Sequence, residues 1–136
     1  MSFAYPHLNI IAVLVAALVQ FVLGFLWYSG MTPTGRWWAE EMGIADQQGQ
    51  PGAEMLIFPI SSIFAAWVVA MVIAWSGADS VAHAMLAAWV VALAVGVQVL
   101  ASGIASGKSS PTLQAINVGY LVAGYGLMGA IIGAFH

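Results

Sequence analysis

The stretch "NIIAVLVAALVQFVLGFLWYSG", Asn9 to Gly30, decides the fold. From Ile10 to Leu26 it is apolar apart from Gln20, it carries no charge, and Trp27-Tyr28 close it. At ~1.5 Å per helical residue a run of this length covers about 30 Å, the hydrocarbon thickness of a bilayer. A cleaved signal peptide needs a positive leader and an apolar stretch of about 7–15 residues. The preceding "MSFAYPHLN" contains no Lys or Arg and the apolar run is longer, so the segment reads as a retained membrane helix.

Composition extends that reading to the whole chain. Of 136 residues, 62% are hydrophobic and 5% charged, against about a quarter charged in ordinary soluble domains. Mean hydropathy is +0.98. The lipid bilayer is therefore the expected surrounding of a single transmembrane domain spanning 1–136. A formal charge of −3 with only Arg36 and Lys108 as cations offers no basic patch, which excludes nucleic acid as a partner. Absence of cysteine excludes disulfides, thiolate ligands and a catalytic thiol.

Three further runs are long enough to cross: Met55 to Trp75, Ala82 to Gly103 and Leu113 to Phe135. Together with the first, at about 8–28, they predict an all-α integral membrane four-helix bundle. Backbone amides in lipid must be satisfied within each segment, and the strict alternation of barrel strands is absent. The connections "SGADSV" and "SGKSSPT" are turns, whereas the first contains "TPTGRWWAEEMG". There a Thr34 cap, an Arg36–Glu40 pair and a Gly43 stop predict a short interfacial helix, with Trp37, Trp38 and Met42 in the headgroup layer. Trp27 and Tyr28 read as further interfacial anchors. Arg36 and Lys108 lie in the first and third connections, so the positive-inside rule makes that side cytoplasmic and both termini external, in a bacterial inner membrane.

Several of these residues also carry a likeness. "NIIAVLVAALVQFVLGFLWYS", "GRWWAEEMGI" and "INVGYLVAGYGLMGAIIGAF" resemble the bacterial membrane proteins catalogued as domain-of-unknown-function family 1761. The shared features are an asparagine-led first helix ending in Leu-Trp-Tyr-Ser, a Gly-basic-x-Trp segment and an Asn-x-Gly-Tyr fourth helix. The likeness covers the whole chain. It implies four helices and transfers no site or activity. Members often carry more basic residues in the third connection, where this chain has only Lys108.

Lipid tails are as apolar as leucine, so membrane helices associate by close packing and interhelical hydrogen bonds. The fourth run offers Gly119, Ala123, Gly126, Ala130 and Gly133 on one face, and the third offers Ala84, Ala88, Ala92 and Gly96. These smooth faces suit helix packing and contact with another copy, so a homo-oligomer is expected. Counted in from the cytoplasmic ends, Gln20, Ser61, Ser62, Gln98, Asn117 and Tyr120 all fall roughly 6–12 Å deep at ~1.5 Å per residue. All four helices thus bring uncharged polar groups to one layer, with Pro59 loosening the second. Such a layer is either interhelical glue or a polar pocket reached from the cytoplasm.

The spans contain no internal Asp, Glu, Lys or Arg, the groups that mark proton-coupled transport. Gln20 cannot take up and release a proton, so an exporter driven by a first-helix carboxylate is excluded. His7, His83 and His136 fall at the external face near Asp79, but no HxxxH or HxxE spacing supports a metal site, and none is expected; His83 and Asp79 read as a helix-start pair. "GIASGKSS" lacks the phosphate-loop spacing, since Ser102 stands where the first glycine belongs. Serines without a basic partner at their depth argue against nucleophilic catalysis. "QFVLG…SGMTPT" and "QVLASG…SGKSSPT" echo each other weakly, as a two-fold repeat of helix pairs or as low complexity would. The expected function is a small, cofactor-free, non-enzymatic membrane protein that binds or passes an uncharged solute. The alternative is an accessory or structural subunit of a larger membrane complex, with a membrane-embedded enzyme third.

Overall fold

Every long apolar run becomes one uninterrupted helix. The computed structural model describes residues 6–29, 31–43, 54–107 and 110–135, with the backbone alone described at Met42 and at 54–56. Its elements are α1 (Ile10–Tyr28), α2 (Pro33–Met42), α3 (Glu54–Ser76), α4 (Val81–Ser106) and α5 (Pro111–Ala134). Among the described residues there is no strand, and α1, α3, α4 and α5 are long and apolar enough to cross a membrane. Lys108 and His136 lie outside the described residues.

Small polar residues start the helices. Asn9, Ser80 and Ser110 accept from the backbone N–H three residues on in α1, α4 and α5, at 3.2, 3.1 and 3.1 Å. Gly43, at φ 72°, ends α2 in the left-handed conformation that a side chain would disfavour. Gly107, also at φ 72°, ends α4, which therefore runs past Gly103 to Ser106.

Antiparallel pairing sets the architecture. Asn9, Gln20, Gly24 and Tyr28 of the α1 strip meet Phe135, Gly124, Tyr120 and Asn117 in turn. A second antiparallel pair joins α4 to α5, while α3 packs on α1. The core is built mainly of alanine: Ala12, Ala16, Ala17, Ala66, Ala70, Ala84, Ala88 and Ala92 are buried, with Met128 and Val69 the largest fully buried side chains. Residues this small bring backbones close, which is how association gains contact energy when solvent is itself apolar.

The glycine face of α5 is shared rather than continuous. Methyl groups built on Gly129 and Gly133 would come within 2.8 Å of the Met85 Cα and 2.7 Å of the Ala84 Cβ, so these two admit α4. Gly119 lies instead under the Trp27 ring of α1, and Gly126 under the Trp89 ring of α4. Ala123 and Ala130 are half-buried, and Gly96 sits against Leu121 at an ordinary 3.6 Å. Gly129, absent from the expected stripe, is among the closest packed.

The interfacial segment forms, with two differences. Its cap is Thr32, not Thr34, because Pro33 occupies the first helical position, where no N–H is needed. Thr32 accepts from the Gly35 N–H at 3.3 Å, while Thr34 Oγ1 donates to the Trp27 carbonyl at 2.8 Å and so satisfies the open end of α1. No Arg36–Glu40 pair forms; among the described residues the ion pair within 4 Å is His83–Asp79. Glu41 instead accepts from Ser110 Oγ at 3.0 Å, tying α2 to the start of α5. Gly35 is buried against α1, where any Cβ would overlap the Ser29 carbonyl.

Candidate functional site

Several polar groups of the spans meet in the seam between α1 and α5. At the α2 end, Tyr28 Oη donates to Asn117 Oδ1 at 2.7 Å and Trp27 Nε1 donates to the Ile116 carbonyl at 2.9 Å. One turn deeper, Tyr120 Oη donates to the backbone carbonyl of Gln20 at 3.2 Å. This close approach depends on Gly24, whose missing Cβ would lie 2.7 Å from the Tyr120 hydroxyl. The rings interlock, with Tyr28 edge-on to Trp38 at 5.1 Å and to Tyr120 at 5.5 Å. Trp27 and Tyr28, half-buried at the end of α1, donate to a carbonyl and an amide that α5 supplies at their height. Of the two tryptophans of α2, Trp38 is half-buried on Tyr28 and Trp37 is exposed.

Beyond the rings lies Gln20. It is 5% exposed, and its side-chain Oε1 is buried with no hydrogen-bond partner. Gly124 faces it, with the space of a missing Cβ only 3.6 Å from Gln20 Cγ. Ser62, 6% exposed, falls at the same height: Leu8 and Asn9 line a small cavity with Ala70, Ile73 and Ala74, and equal steps along antiparallel α1 and α3 lead to Gln20 and Ser62. A buried amide oxygen left unpaired costs about 1–3 kcal/mol. Its chemistry is specific, since it accepts hydrogen bonds and neither donates nor ionises.

The structure joins Tyr120 to the backbone of Gln20 and sets Ser62 level with Gln20, whereas Asn117 pairs with Tyr28, two turns of α1 nearer the α2 end. Gln98 and Ser61 do not join them. Ser61 is exposed and donates back to the Phe58 carbonyl at 3.0 Å, and Gln98 is exposed on α4. The expected single layer is therefore divided: Asn117 sits at the level of Tyr28, Gln20 lies deeper opposite Gly124, and Ser61 and Gln98 face outward. Tyr28 and Trp27 were the partners missed; their signal was the antiparallel pairing that places a span's last residues opposite another's first.

A second tryptophan repeats the arrangement of the first. Trp89 Nε1 donates to the Val122 carbonyl at 2.9 Å, across Gly126. In both cases a glycine three or four residues after the accepting carbonyl leaves it open to a second donor, since no side chain overhangs it. On the outer side of the same helix pair, a wholly apolar groove of about 360 Å³ is lined by Trp89, Leu93, Gly96, Leu121 and neighbours.

At the opposite end, His83 Nδ1 lies 3.5 Å from Asp79 Oδ1, the helix-start pair, and His7 is exposed on the rim of the small cavity at Asn9. Among the described residues no three His, Cys, Asp or Glu side chains gather into a metal-binding group.

A family model described as a protein of unknown function (DUF1761) matches residues 11–133. No curated protein and no solved structure matches the chain.

Proposed function

The chain belongs to the DUF1761 family, whose description assigns no activity, and we propose its function from the site alone: a non-enzymatic multi-pass membrane protein that binds a small uncharged solute at Gln20. The observation that carries this reading is the unpartnered, fully enclosed Gln20 Oε1. A helix seam that needed only glue would pair this atom or replace it with leucine. A neutral solute carrying an O–H or N–H would supply the missing donor, and the absence of Asp, Glu, Lys and Arg from the interior of the spans suits a ligand without charge. Passage through the bundle would run from the α2 end past Tyr28 and Tyr120, whose rings must swing aside. In this reading the α2 side faces the cytoplasm of a bacterial inner membrane and the termini face outward.

The test is thermal stability in mild detergent across a panel of neutral alcohols, amides and ureas. A ligand at one hundred times its dissociation constant stabilises by about 2.7 kcal/mol. At least one solute should stabilise the wild type and leave Gln20→Met unmoved. A panel that shifts both proteins equally, or neither, refutes the reading.

The accessory-subunit reading rests on a different observation, Trp37, 53% exposed on α2 outside the bundle. It predicts a stoichiometric partner co-purifying from native membranes, lost in Trp37→Ala.

A further inference from the structure

Gln98 has no counterpart among the described residues of its own chain. It is exposed on α4, hydrogen-bonds to no described residue, and sits eight residues before the helix ends at Ser106, ~12 Å in at ~1.5 Å per residue. An amide has two donors and one acceptor oxygen, and hydrocarbon can satisfy none of them. Its neighbours on that face are short: Ala94, Ala101 and Ala105, at helical spacings from Gln98, are all exposed. The same face is covered nearer the start of α4, where Ala87 is buried.

We infer that this face of α4 is the contact with a second copy of the chain, in which the two Gln98 amides hydrogen-bond to each other about a two-fold axis along the membrane normal. The chemistry selects this occupant over others. An amide is complementary to itself, donating through N–H and accepting through C=O, and a two-fold places each such group against its own duplicate at equal depth. Lipid chains offer no donor or acceptor. A charged or purely apolar partner helix would leave half of the amide unmet. The alanines on either side let the two α4 backbones approach closely enough for these short bonds. The inference is independent of solute binding, because Gln98 is turned away from the Gln20 seam.

The chain has no cysteine, so single cysteines report without background. Ala101→Cys in native membranes should cross-link efficiently to itself under mild oxidation. Leu93→Cys, also exposed but on another face of α4, should not. Gln98→Leu on the Ala101→Cys background should weaken self-association about tenfold in a liposome dilution series read by fluorescence transfer, the scale of one interhelical amide pair. Its thermal stability in detergent should stay at the wild-type value, showing that the fold is intact. Equal cross-linking at Leu93 and Ala101, a cross-link at Ala101 to a chain of different mass, or undiminished association of Gln98→Leu each overturns the inference.

Discussion

Replacing Gly129 by alanine probes how closely α4 and α5 are joined. The added methyl would lie 2.8 Å from the Met85 Cα, 2.9 Å from the Ala84 carbonyl oxygen and 2.9 Å from the Ala88 Cβ. Carbon atoms settle at about 3.5–4.0 Å, so α4 must retreat by roughly 1 Å. Two of the three obstacles are backbone and cannot rotate away. Overpacking of this kind costs about 1–3 kcal/mol, and the backbone contacts place Gly129→Ala at the upper end. The usual helix-propensity gain of alanine gives little back, because membrane spans stay helical when the bundle comes apart. Gly96→Ala is the control: its methyl would meet only Leu121 Cδ1, at 3.6 Å, and its effect should be close to zero. Unfolding in rising mole fractions of dodecyl sulfate, followed by helix-to-helix fluorescence transfer, measures both. Equal stability of the two variants would refute the packing described for α4 and α5.

Other expected outcomes follow from single contacts. Trp27→Phe and Trp89→Phe each lose an indole donor to an α5 carbonyl and should cost about 0.6 kcal/mol, at most about 1.7, in the same unfolding assay. Gly35→Ala should release α2 from the end of α1 while the four spans stay folded, seen as faster amide hydrogen exchange confined to residues 33–42. Membrane-impermeant thiol reagents should label Asp79→Cys and Trp37→Cys from opposite sides, since an antiparallel bundle separates these positions by a full span.

The fold was legible because the bilayer imposes a length and forbids charge, and both are written in composition. Four runs of about 20 residues can do little else. The cap of α2 was misplaced because two threonines competed and Pro33 decided between them. The polar residues of the site were legible in the sequence, but their partners and directions were not. Gln20 and Gln98 share a similar setting in sequence, an amide in an apolar run, yet one is enclosed and the other exposed, because the neighbour each faces is fixed by long-range pairing. Trp27 and Tyr28 look like interfacial anchors from local sequence, and only the antiparallel partner converts them into donors. The division of α5's glycines between α1 and α4 has the same origin.

The central claim is that Gln20 is kept for an incoming donor rather than for holding helices together, and the sign of one stability change tests it most directly. Gln20→Met preserves volume and removes the unpartnered oxygen. Without solute, the substituted protein should be more stable than the wild type by about 1–3 kcal/mol, the cost of an unmet buried acceptor. A loss of stability would show that the amide bonds the seam, and would contradict the account.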